Sequence, residues 1–191
     1  MFTRYIRPGL TLVFAMTLIV GVIYPFAVAG VSRLAFARQA EGSLLQENGV
    51  LIGSDLIGQN FTDPKYFWGR PSATTPQPYN GVNSGGSNLG PLNPALIDKV
   101  HANAKALHEA DPSNKAEIPV ELVTASTSGL DPEISPAAAL YQAARVASAR
   151  HMPIAKVRAL IEIHQRNPIL GVIGEPVVNV LALNLDLDKQ R

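Results

Sequence analysis

Two polar loops and one aromatic segment hold most of the residues whose types and spacing could do chemistry. Residues 83–94 read NSGGSNLGPLNP. There Ser84, Gly85, Gly86, Ser87 and Asn88 set successive backbone N–H groups beside hydroxyls, the makings of a nest for an anion or for a partner's backbone. A phosphate-binding P-loop needs a lysine after its last glycine, and none follows Gly90. A nucleophile elbow would need glycine at 89, where Leu89 stands. The plainer reading is a turn that ends in a helix cap at Asn93-Pro94. Residues 124–136, TASTSGLDPEISP, repeat the theme: hydroxyls at Thr124, Ser126, Thr127 and Ser128 precede Gly129 and Asp131-Pro132. A phosphate or a partner could dock there. Turn chemistry is the plainer alternative, with Asp131 making an Asx turn and Ser135 capping the next helix. Tyr66-Phe67-Trp68, followed by Arg70-Pro71, could stack on a sugar, a base or a protein surface, or could be a core strand with one aromatic facing out.

Other chemistry finds no set of residues. His101 and His108 are seven apart on one helical pattern, and no H-E-x-x-H or third ligand accompanies them. They read as a solvated face. Asp186 and Asp188 read as the polar face of a terminal strand. Cysteine is absent, which removes disulfides, thiolate metal sites and cysteine nucleophiles together. Net charge is +1 with no basic block, so nucleic acid is not expected. No catalytic residue, no metal site and no tightly bound cofactor is expected.

The elements that must position these loops follow from period and punctuation. Residues 33–48 read as a short helix ended by Gly49. Leu51–Ile52 and Leu56–Ile57 read as strand fragments. Residues 60–93, rich in proline and glycine, read as a long loop with a short strand possible around Tyr66–Trp68. Asn93-Pro94 starts a helix through Ala110. Glu121–Ala125 reads as a short buried strand. Ser135-Pro136 opens a helix to about Arg150, and Pro153 opens another, with Ile154, Val157, Leu160, Ile161 and His164 on one face and an Arg158–Glu162 pair on the other. From Leu181 to Asp188 leucines alternate with polar residues, the pattern of a half-buried strand.

The N-terminus is of another kind. Pro8 to Ser32 is a run of 25 residues (32 − 8 + 1) without a formal charge, flanked by Arg4 and Arg7 before it and by Arg33 and Arg38 after it. As a helix it reaches about 37 Å, enough to cross a ~30 Å hydrocarbon core, with Tyr24-Pro25 predicting a kink. Ala27-Val28-Ala29 offers a signal-peptidase site as the competing reading. Apolar character runs on past it through Val31, Leu34, Ala35, Phe36 and Ala37, so a retained anchor is expected. Flanking charges balance, and the terminal amine tips the orientation toward a cytoplasmic N-terminus. The expected organisation is a transmembrane anchor over 1–33 and one loop-rich, mixed α/β, extracytoplasmic domain over 34–191.

Gly53 to Gln59, Phe61, Tyr66-Phe67, Arg70-Pro71-Ser72, Tyr79-Asn80, Ser84 to Asn93, Leu122 to Pro136, Gln142, Arg145-Val146-Ala147, Arg150, Gly174 to Val180 and Leu183-Asn184-Leu185 come in a distinctive order. In that order the chain resembles the C subunit (KdpC) of the Kdp high-affinity potassium-transporting P-type ATPase of bacteria and archaea. One departure is Glu133, where that family often has histidine. The resemblance implies an accessory, non-catalytic subunit, single-pass in the plasma membrane. Its partners would be a potassium-channel-like subunit, a P-type ATPase subunit that hydrolyses ATP, and membrane lipid around the anchor. It also implies a catalytic chaperone that raises the ATP affinity of the pump subunit, with ATP reached through the complex. The chain lacks the D-K-T-G-T phosphorylation motif and so is not the pump itself. Ser84–Asn88, Ser126, Ser128, Gly129 and Asp131 are the candidate partner or nucleotide contacts. A membrane-anchored or secreted hydrolase or sugar-binding domain is the alternative from another class.

Overall fold

The computed structural model describes residues 2–190. The chain divides into two compact units, one up to Ile52 and one from Gly53, and passes between them within a short strand.

The first unit is dominated by one helical rod. Helix α1 (Phe2–Leu18) runs through a single π turn, Ile19–Ile23, into α2 (Tyr24–Ala35). Within the span Arg4–Ala35 an 18-residue stretch has a mean hydropathy of 2.3 and none of that stretch is buried, so the helix is long and apolar enough to cross a membrane. The anticipated kink takes the form of the π turn. Pro25 has no N–H for the carbonyl of Gly21, and its ring would press on that carbonyl. The turn ahead of it widens instead, and the Tyr24 N–H donates to the Ile19 carbonyl, five residues back.

The helix predicted over 33–48 is shorter than that. It stops at Ala35, resumes for one turn as α3 (Ala37–Ala40), and gives way to a hairpin of β1 (Leu44–Glu47) and β2 (Val50–Ser54). Asn48-Gly49, with φ of 51° and 78°, is the two-residue hairpin turn. Gly49 turns a strand here and does not end a helix.

The second unit packs helices against a small antiparallel sheet ordered β3-β5-β4: β3 (Glu133–Ile134), β4 (Gln165–Arg166) and β5 (Val177–Asn179). Glu133 lies opposite Asn179, and Arg166 opposite Val177. The predicted helix starts are where the caps put them. In α4 (Pro94–Ala110) the Asn93 side chain accepts from the Ala95 N–H, and in α5 (Pro136–Ala149) the Ser135 hydroxyl accepts from the Ala138 N–H. Helix α6 (Ile154–His164) buries Val157, Leu160 and Ile161, while Arg158 and Glu162 do not pair.

Two predicted strands are helices. Residues Val120–Leu122 form a 3₁₀ turn that buries Leu122. The chain ends in α7 (Val180–Lys189). The alternation of Leu181, Leu183, Leu185 and Leu187 fits a strand, but Val180, Leu183, Asn184 and Leu187 also fit one helical face. The Asn179 side chain caps that helix by accepting from the Ala182 N–H.

Residues 55–93 carry no helix and only one isolated bridge, Ser54 with Ile57, yet Phe67 is fully buried. Side chains of α5 and α7 hold this backbone in place of a strand. The carbonyls of Pro64 and Tyr66 accept from Arg145 and that of Lys65 from Arg150, whose Nε lies at 2.7 Å. The amide of Asn184 brackets Phe67, accepting its N–H at 2.8 Å and donating to its carbonyl at 2.9 Å. Gln142 does the same for Trp68, at 2.9 and 3.1 Å. The predicted strand at Tyr66–Trp68 is therefore satisfied like a central strand, but its neighbours are side chains. Replacing Asn184 with leucine strands two buried backbone groups, each at about 1–3 kcal/mol. Chemical denaturation of Asn184→Leu should show a loss of about 2–6 kcal/mol.

Candidate functional site

The two polar loops singled out in the sequence meet in space. The Gly85 N–H donates to the Ser128 carbonyl at 2.8 Å, and the Ser84 hydroxyl donates to the same carbonyl at 3.1 Å. Gly86 lies against Thr127 so closely that a Cβ would stand 2.7 Å from the Thr127 carbonyl oxygen. Gly129, at φ +67°, would bring a Cβ to 2.7 Å from the Gly85 carbonyl oxygen and 2.5 Å from Thr74 Cγ2. Glycine is required at both places, for close approach at 86 and for conformation as well at 129.

A third segment completes the arrangement, and sequence reasoning assigned it no role. The Ser72 hydroxyl donates to the Gly129 carbonyl at 2.7 Å and accepts the Tyr79 N–H at 2.9 Å. Thr74 Oγ1 donates to the Gln77 carbonyl and accepts from the Asn80 N–H. The signal was present in Arg70-Pro71-Ser72, where two polar residues flank a proline in an otherwise unstructured run. Ser126 is buried, and its N–H donates to the Pro71 carbonyl. Ser87 is half-buried and Asn88 exposed, at the outer end of the first loop.

Asp131 makes the Asx turn, its Oδ1 accepting from the Glu133 N–H, while Oδ2 faces Arg70 at 3.3 Å. Arg70 stands between two clefts. One, of about 250 Å³, is lined by Phe61, Trp68, Arg70, Tyr79, Asn103 and Leu107. The other, of about 370 Å³, carries Asp131, Glu133 and Glu175. The buried Nε of Arg70 has no partner among the described residues. The Tyr79 hydroxyl donates to the Arg70 carbonyl, and burial, reinforced by the Asp131 charge, pushes its pKa up to about 12. It stays a neutral donor throughout the physiological range.

Tyr66 and Trp68 are half-buried and already occupied. The Arg145 guanidinium lies 4.3 Å from the Trp68 ring centroid, and that of Arg150 lies 5.0 Å from Tyr66. Desolvation draws the Arg145 pKa down to about 10, which leaves it charged at neutral pH. The Tyr66 hydroxyl and Arg150 both bond Asp188, so that carboxylate belongs to the clamp and not to a strand face. His101 and His108 lie exposed along α4. His164 Nε2 meets Asp186 Oδ2 at 2.8 Å, and this bond, with Lys189, holds the Asp186 carboxyl below its ordinary value. Among the described residues no serine or threonine joins that pair, and no group of three or more His, Cys, Asp or Glu could hold a metal ion. The arrangement can present a stiff, uncharged loop surface. It cannot offer a free nest at Gly85, whose N–H the protein itself has taken.

Residues 6–189 match the family model described as "KdpC: K+-transporting ATPase, c chain". The chain belongs to this family. Family relatives include the "Potassium-transporting ATPase KdpC subunit" of Polaromonas naphthalenivorans, 61% identical over 96% of this chain and 93% of the relative. Those of Variovorax paradoxus (60%, over 96% and 95%) and Ralstonia nicotianae (59%, over 95% and 89%) are similar.

Neighbouring glycines in the first loop should respond oppositely to one added methyl group. Gly85→Ala meets nothing within 4 Å, whereas Gly86→Ala meets the Thr127 carbonyl. Thermal unfolding should show the first near wild type and the second lowered by several degrees, about 1–3 kcal/mol.

Proposed function

We propose that this chain is the non-catalytic accessory subunit of an ATP-driven, high-affinity potassium importer. The observation that carries the reading is the match to the KdpC family over nearly the whole chain, from the apolar helix to the last turn of α7. In this reading the helix Arg4–Ala35 anchors the chain in the plasma membrane, and the domain lies on the extracytoplasmic side. A channel-like subunit conducts potassium, and a P-type subunit hydrolyses ATP.

The joined loops around Ser84–Asn88 and Ser126–Asp131 are the docking surface. They are stiff, they carry no unpaired charge at their junction, and Val82 and Leu92 beside them are 97% and 92% exposed. Exposed aliphatics flanking a pre-ordered polar loop suit a protein partner, because little ordering entropy remains to be lost. With the domain outside and ATP inside, the chaperone effect on ATP affinity is allosteric. It acts through the membrane helix as a coupling free energy, with no nucleotide held by this chain. The hydrolase or sugar-binding alternative has two clefts beside Arg70 to use, of about 250 and 370 Å³, at the lower end of the roughly 300–1,000 Å³ of ordinary ligand sites.

Purification of the tagged chain from native membranes should bring down two larger, many-helix subunits. Ser87→Lys, which adds a charge on the docking surface, should reduce that recovery several-fold while the chain itself accumulates normally. A lone monomer with esterase or glycan-binding activity would overturn the reading. The absence of cysteine makes topology direct to measure: Ser113→Cys, in intact cells with the outer membrane permeabilised, should react with an impermeant maleimide. Failure to label would place the domain inside.

A further inference from the structure

Between Asn167 and Glu175 the chain runs from Pro168 to Gly174 without one polar side chain. This segment leaves the sheet after β4 and returns to it at β5. Its aliphatics face outward: Ile169 is 68% exposed, Leu170 88%, Val172 81% and Ile173 60%. Single exposed aliphatics are ordinary, but four on one short turn are not.

The backbone of the turn is largely closed on itself. The Ile169 N–H donates to the Ile173 carbonyl at 2.9 Å, and the Ile173 N–H returns to Ile169 at 3.0 Å. The Val172 N–H also reaches the Ile169 carbonyl, the Gly171 N–H reaches that of Pro168, and Pro168 has no N–H to satisfy. Of the N–H groups from Ile169 to Ile173, only that of Leu170 has no partner within the turn. A tip with one N–H left to pair suits the headgroup boundary, where water and lipid carbonyls stay within reach; the hydrocarbon interior would demand that every backbone group be paired.

We infer that the 168–173 loop is a second membrane contact, its aliphatic tip seated in the apolar boundary of the bilayer that holds Arg4–Ala35. The inference rests on the reading of that helix as an anchor. Two observations select lipid over a protein partner. First, the chain brings its own membrane. Residues 36–52, 17 in all (52 − 36 + 1), join the helix to the second unit and reach at most about 60 Å even fully extended. The loop therefore meets a bilayer at a high effective concentration. Second, the tip carries no Trp, Tyr or Arg and no side-chain donor or acceptor. Protein hot spots lean on those groups, whereas binding to lipid grows with the apolar area buried, which this tip supplies.

The test uses the full chain in phosphatidylcholine–phosphatidylglycerol vesicles that contain acyl-chain nitroxide lipids. An environment-sensitive fluorophore is attached at Val172→Cys in the loop, at Val20→Cys in the helix, or at Ser113→Cys on an exposed turn. Positions 20 and 172 should be quenched several-fold and blue-shifted, and 113 neither. Quenching at 20 but not at 172 overturns the inference and leaves the anchor standing. No quenching at 20 overturns both. Equal quenching at 113 means that the whole domain lies on lipid, and a blue shift at 172 without quenching means a protein contact; either overturns the inference. Adding Ile169→Asp and Ile173→Asp should abolish quenching at 172. Its persistence would show that the fluorophore enters the bilayer unaided, and would also overturn the inference.

Discussion

The second unit depends on one constraint: a run of backbone on either side of the buried Phe67, Pro64–Trp68, must find hydrogen bonds where no strand lies beside it. A buried amide without a partner is costly, and five consecutive carbonyls would exceed what a small core can offset. Arg145, Arg150, Gln142 and Asn184 answer all five. Because these side chains come from α5, from its C-terminal end and from α7, the clamp also fixes those helices against the loop. Phe67 can then occupy the centre of the core. The long loop is thus part of the core's polar skeleton, and its downstream portion starts from a fixed point at Arg70.

From that point the candidate surface is built by relay. Arg70 pairs with Asp131, Ser72 bonds Gly129, and the Gly85 and Ser84 donors close onto Ser128. No link is strong alone, and the Arg70–Asp131 pair is partly exposed and worth little by itself. Rigidity arises because each loop supplies the partner that the next one lacks.

Sequence made the helix starts legible because a cap is local. Asn93, Ser135 and the prolines after them state their positions within four residues. The same holds for the apolar rod, whose period and length need no partner. The last helix was misread because Leu181–Leu187 satisfies periods of two and of 3.6 over so few residues, and only packing against α6 and β5 decides between them. Glu121–Ala125 failed for a related reason, as two adjacent buried residues fit a strand or a tight turn equally well. The two polar loops could be picked out by composition, but their meeting could not. A contact between residues 85 and 128 rests on Ser72 and the clamp behind it, information spread over half the chain.

The π turn at Ile19–Ile23 has a consequence for how the rod can be read by its neighbours. With 3.6 residues per turn, one extra residue rotates every later face by about 100°. An adjoining helix that follows one stripe along Phe2–Leu18 meets a different stripe along Tyr24–Ala35. The rod therefore carries two separately addressed halves, and a single straight partner cannot engage both through the same row of side chains.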